Sequence, residues 1–205
     1  MKVQYVTQKY NKLSTTMKVS FKFPNEGLLK QWLTGRKTDK FSYPEQKATQ
    51  QERFPKGYDH DRNKCLLGKG QTVFEKAKQA IDEWIMFPGS WTKIYPATPA
   101  QLHHEVVVLF NLFGVWWFNS SRVVYTIHQP NCYGFAYGTL TQHVEKGEEV
   151  FLVEQDEEGN VWYRVEAFSQ PNKWYVHLAK PLARAYQRKF ARESKAAMQA
   201  YCQGV

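Results

Sequence analysis

No run in this sequence approaches the roughly 18 consecutive apolar residues that a membrane-spanning helix requires. The most apolar stretch, 106–117, is too short for that and is rich in β-branched and aromatic residues, so it reads as strand. The first residues also lack a continuous apolar segment, and a secretory signal is not expected. Acidic residues are absent from positions 1–25, which hold five lysines and no arginine. Organelle transit peptides favour arginine, so the cytoplasm is the expected location, with organelle import left open. Cysteine is scarce. Cys65, Cys132 and Cys202 are odd in number and far apart, which fits neither a disulfide framework nor a zinc knuckle. A reducing compartment is the plain inference.

The familiar signatures of chemistry are missing too. Gly68-Lys69-Gly70-Gln71-Thr72 lacks the spacing of a phosphate loop. His103 and His104 are adjacent, and strand neighbours point to opposite faces, so they are poorly placed to share an ion. No serine or cysteine stands in a nucleophile-elbow context. No cofactor and no metal is expected, and a binding role is favoured over an enzymatic one.

What is present suffices for a sizeable core: 205 residues, 42% of them hydrophobic. The net charge of +9 is unevenly placed. Residues 1–70 hold 15 basic and six acidic residues, and residues 71–205 hold 13 of each. Positions 1–40 therefore read as a basic extension, and 41–203 as one α+β domain. A basic arm attracts nucleic acid or anionic membrane. Here, however, the excess charge and the aromatic residues lie in different parts of the chain, which weakens base stacking as a use for either.

Periodicity orders the domain. Residues 58–67 read as a first strand, closed by Gly68 and Gly70. From Gln71 or Thr72, the spacing of Phe74, Ala77, Ile81, Trp84 and Ile85 predicts a helix that Pro88-Gly89 stops. Residues 90–104 read as an irregular connection. Six strand-like runs follow, at 105–110, 112–118, 121–127, 133–141, 148–154 and 161–169, with 156–160 the clearest hairpin loop. A strand at 16–23 and a helical turn at 27–32 are further expectations. Pro181 then opens a long helix whose Leu182, Tyr186, Phe190 and Met198 form an inward stripe. Lys180, Arg184, Arg188 and Arg192 recur every fourth residue on the same helix, as a solvated face or an anion-binding edge.

This order predicts a curved antiparallel sheet of about seven strands gripping a long C-terminal helix. That helix-grip layout resembles the START and Bet v 1 class of lipid and hormone binders, in which an apolar cavity separates sheet and helix. The first functional expectation is thus a hydrophobic small-molecule or lipid binding module. Trp117, Tyr125, Tyr137 and Trp162 are expected to line the cavity, with Arg122 and His143 as polar anchors. An alternative is an enzyme on the same scaffold using His143 and Glu148 as acid and base. A third is a basic interaction protein in which Arg184, Arg188 and Arg192 bind nucleic acid or an anionic membrane.

One segment stands out within these strands. Gly134 and Gly138 interrupt an aromatic run, which a strand tolerates where a backbone or a ligand approaches closely. With Leu67-Gly68-Lys69-Gly70, Asn119, Arg122-Val123-Val124-Tyr125, Phe135-Ala136-Tyr137-Gly138-Thr139-Leu140, Gly147-Glu148-Glu149 and Val161-Trp162-Tyr163, this segment resembles the DUF1990 family of bacteria and plants. The resemblance spans about 41–198. It implies the domain and brings no activity with it.

Overall fold

Residues 105–171 form a meander of five antiparallel strands in the computed structural model, which describes residues 19–51, 54–172 and 179–204. These strands are β4 (Glu105–Leu112), β5 (Val115–Gln129), β6 (Cys132–Thr139), β7 (Glu145–Gln155) and β8 (Asn160–Pro171). Three more join them: β1 (Val19–Ser20), β2 (Asp59–Lys69) and β3 (Thr92–Tyr95). The order across the sheet is β2-β8-β7-β6-β5-β4-β3, and β1 pairs with the start of β5, beyond the end of β6.

The main path holds the expected seven strands, reached by two changes that cancel, and β1 makes an eighth beside it. The runs at 112–118 and 121–127 are one strand. Asn119, Ser120 and Ser121 look like a break, yet they are fully buried and their backbone stays paired to β4. Within the expected irregular connection, Thr92–Tyr95 pairs with β4 and becomes an edge strand. Only part of the expected strand at 16–23 falls within the described residues, as β1.

Alternation along each strand sorts the side chains into two faces. One face carries Val123, Phe135, Phe151, Val153, Tyr163 and Val165, which pack against α2 (Gln71–Asp82) and α3 (Lys180–Gln203). Phe74, Ala77, Ala80 and Ile81 supply the stripe of α2, as the spacing predicts. Part of the opposite face is covered by α1 (Glu26–Thr34) and the segment that follows it. Asn25 caps α1 by accepting a hydrogen bond from the Leu28 amide at 2.9 Å. Leu29 and Trp32 of that helix are buried against Val107, Leu109 and Phe118. Residues 19–40, read from sequence as part of an extension, thus contribute a packed helix to the domain. The segment 41–51 follows and seals Phe168 and Tyr125.

The long C-terminal helix lies across the α2 side, giving the helix-grip arrangement. Its packing is uneven. Phe190, Ala191, Ser194, Met198 and Cys202 are buried, whereas positions 180–189 contain no buried residue. Phe190 and Met198 each contribute about 2 kcal/mol of burial. Leu182, expected to face inward, is 45% exposed at the near end.

Candidate functional site

Between the sheet and α3 lies a cavity of about 340 Å³. Its walls are apolar and aromatic: Phe87 and Trp91 from the segment after α2, Val108 and Phe110 from β4, and Tyr186 and Phe190 from α3. Trp91 stacks on Phe110 at 6.0 Å and meets Tyr186 at 5.6 Å, so one wall is a continuous aromatic surface. Phe113, which is 82% exposed at the tip of the β4–β5 hairpin, and Leu182 mark its outer rim.

Polar groups enter at defined places. Glu149 of β7 points to the cavity side, two residues before Phe151, and accepts a hydrogen bond from the Tyr137 hydroxyl at 2.6 Å. Burial pushes its carboxyl up to about 7, against the opposing effect of the Tyr137 bond, with Asp61 and Glu145 adding repulsion. Glu145, on the same face, is raised by burial as well, and the Gln187 amide donates to both of its oxygens at 2.8 and 2.7 Å. Arg184 clasps Asp61 of β2, Nη2 donating to Oδ1 at 2.7 Å. That bond and charge hold the Arg184 guanidinium above its ordinary range, against its own partial burial. The imidazole of His143 is buried, which lowers it to about 4 and leaves it neutral at pH 7. Its Nδ1 accepts from the Glu145 amide at 3.0 Å. Asn119 Oδ1 accepts from the Val144 amide at 3.3 Å, which ties the 143–145 turn to β5.

The expected site residues divide between the two faces. Trp117, Tyr137 and His143 line the cavity, and Glu148 also borders it, although its carboxylate turns to the other face. Tyr125 does not line it. Trp117 and Tyr125 share parity, but a bulge between Val123 and Tyr125 shifts the register and turns Tyr125 outward, where its hydroxyl meets Thr49 Oγ1 at 2.7 Å. Trp162 lies between the inward Val161 and Tyr163 and so points outward. Its indole donates to Asp156 Oδ2 at 2.9 Å, under the Lys64 ammonium. Arg122 is also outward. It bonds Glu105 at 3.0 Å and the carbonyls of Arg36, Lys37 and Asp39, fastening the chain after α1. The structure does not bring His143 and Glu148 together. The Glu148 carboxylate sits on the face opposite to Glu149 and receives Tyr43 Oη at 2.7 Å, the Lys47 amide at 2.8 Å, the Thr49 amide at 3.0 Å and the Thr49 hydroxyl. Of the basic row on α3, Arg184 is committed to Asp61, while Arg188 and Arg192 are exposed.

Sequence reasoning placed the acidic group of the site one residue off. The signal was Phe151 and Val153: two steps back from Phe151 on the same face is Glu149, not Glu148. Gln187 and Asn119 carry no such signal, because lone amides are common everywhere. Among the described residues no group of His, Cys, Asp and Glu could hold a metal ion, and no helix is long and apolar enough to cross a membrane. Burial raises all three thiols to about 11, so none is an activated nucleophile.

The family model described as a domain of unknown function, DUF1990, matches residues 42–197. The chain belongs to the DUF1990 family. A UPF0548 protein of Dictyostelium discoideum is 32% identical over 196 residues, covering 85% of this chain and 91% of its own. UPF0548 proteins of Arabidopsis thaliana and Deinococcus radiodurans are 31% and 33% identical, over 69% and 74% of this DUF1990 chain and 72% and 82% of their own. Among solved structures, a hypothetical protein of Helicobacter pylori matches with a TM-score of 0.50 at 14% identity, over 73% of this chain and 92% of its own. That likeness shows a shared fold alone. Ara h 8.0201 matches with a TM-score of 0.45 at 12% identity, over 73% of this chain and all of its own.

Proposed function

We propose that this DUF1990 protein binds an apolar small molecule in the cavity between the sheet and α3. The observation that carries this reading is the cavity itself: about 340 Å³, walled by aromatic and aliphatic side chains and entered by few polar groups. Well-packed interiors seldom leave such space. A mostly apolar hollow with a few convergent polar groups is the ordinary form of a small-molecule site. The half-packed start of α3 lies over its rim, at Leu182 and Ala183.

Native mass spectrometry of the purified chain with a panel of lipids and isoprenoids tests it. Stoichiometric binding of at least one apolar compound is expected, and Ala183→Trp, which fills the rim, should abolish it while the fold persists. A chain that takes up no member of the panel, and carries nothing from a cell extract, would sink the reading.

A further inference from the structure

Six buried side-chain atoms lack a partner among the described residues, on Arg36, Trp117, Asn119, Ser121 and Gln142, and two of them belong to side chains that line the cavity. Among the described residues, Trp117 Nε1 and Asn119 Nδ2 are enclosed and make no hydrogen bond. Both side chains line the cavity, two residues apart on one face of β5, so their Cα atoms are about 7 Å apart by strand rise. Asn119 is fully buried, and because its Oδ1 already accepts from the Val144 amide, its Nδ2 is the group left over. That same bond brings His143 alongside. Nδ1 of His143 accepts from the Glu145 amide, so in the neutral ring the proton sits on Nε2, which has no partner among the described residues. Three side chains thus present N–H donors, and none carries charge.

An enclosed donor without an acceptor costs on the order of 1–3 kcal/mol, and two of them in one wall, with His143 Nε2 as a third donor beside them, point to an acceptor that arrives from outside. The geometry points to a subsite, formed by Trp117, Asn119 and His143, that receives a neutral oxygen acceptor of the bound molecule, a carbonyl or hydroxyl oxygen. Charge decides against a carboxylate. Glu145 is two residues from His143 on the cavity side, Glu149 and Asp61 line the same space, and the one guanidinium nearby, Arg184, is already paired with Asp61. An anionic head would enter beside like charges and away from bulk water. A neutral oxygen satisfies the donors and meets no repulsion. The inference rests on the cavity reading proposed above and narrows its ligand class.

A matched series separates the two. Decane, 2-decanone, 1-decanol and decanoate share one chain length and differ only at the head. Titrated at pH 7.5 and followed by native mass spectrometry, 2-decanone and 1-decanol should bind about tenfold or more tighter than decane, and decanoate weaker than either. Trp117→Phe keeps the ring and removes one donor, so 2-decanone should lose about threefold to tenfold while decane is unchanged. Asn119→Asp keeps the oxygen that holds Val144 and removes the donor, and should lose the same preference. Equal binding of decane and 2-decanone, or unaltered preference in both variants, overturns the donor subsite while leaving the cavity reading standing. Decanoate binding as tightly as 2-decanone overturns the neutral head. Binding of none of the four overturns both.

Discussion

The hydroxyl of Tyr43 donates to the carboxylate of Glu148 at 2.7 Å, joining the segment ahead of the first long strand to the middle of β7. Three further donors, from Lys47 and Thr49, converge on the same carboxylate. Glu148 is therefore a fastening for the chain that covers the outer face, in the interior where hydrogen bonds to a charged group are strongest. Removing it leaves these donors facing an apolar wall. Glu148→Ala should lower unfolding free energy by about 2–4 kcal/mol and Tyr43→Phe by about 1–2 kcal/mol. Urea denaturation measures both. Ligand uptake by the folded fraction should be unchanged, because the carboxylate faces away from the cavity.

Gly138 explains why that fastening can form. A Cβ at this position would lie 2.0 Å from the Tyr43 hydroxyl and 2.8 Å from its ring. Gly138→Ala should displace the ring and cost about 2–3 kcal/mol. In a Tyr43→Ala background the same change should cost far less, a coupling of more than about 1 kcal/mol in a double-mutant cycle.

Two buried groups near the cavity give opposite pH dependences. Glu149 is raised to about 7, so the folded chain holds a proton there that the unfolded chain has released above pH 4.5, and its contribution falls as pH rises from 4.5 to 7. His143 is lowered to about 4, so the unfolded chain binds the extra proton, and its contribution rises from pH 4 to 6.5. Between pH 4.5 and 6.5 the two slopes oppose each other, each at most about 1.4 kcal/mol per pH unit. Glu149→Gln should therefore gain stability over the parent as pH climbs from 4.5 to 7, then level off. His143→Gln should gain over the parent as pH falls from 6.5 to 4. Parallel stability curves for parent and variant would refute the assignment of the group concerned.

Phe190 contacts Phe87 at 5.3 Å and Phe151 at 6.4 Å and forms part of the cavity wall. Phe190→Ala should cost about 3–5 kcal/mol and enlarge the cavity, so that bulkier apolar ligands bind better relative to the parent. Calorimetric unfolding with and without ligand reads both effects.

The meander, both long helices and the side of α3 that packs were legible because each rests on a local pattern: period two in β7 and β8, three-to-four spacing in α2 and α3. Register-dependent features were not. Parity carried from Trp117 reaches Tyr125 only if the strand is regular, and the bulge at Val124 breaks it. Glu148 and Glu149 are neighbours of like composition, so their opposite fates follow from strand phase alone. The glycine pair read from sequence as a place of close approach is one, but the approaching groups are the chain's own. At Gly134, where φ is 155°, a Cβ would lie 2.0 Å from the Phe151 carbonyl, and at Gly138 it would meet Tyr43. Such contacts join positions far apart in sequence, where no local pattern reaches.

The uneven burial of α3 makes it a beam fixed at one end. Phe190 to Cys202 form the fixed part, and the first ten residues project over the cavity rim. Three polar catches hold the projecting part down, Lys180 on Asp59, Arg184 on Asp61 and Gln187 on Glu145. Apolar anchoring at the far end responds little to salt, whereas a partly exposed ion pair weakens with it. Opening at the rim and survival of the fold are thus governed by different forces: ionic strength loosens the ionic catches while the anchor keeps the helix in place.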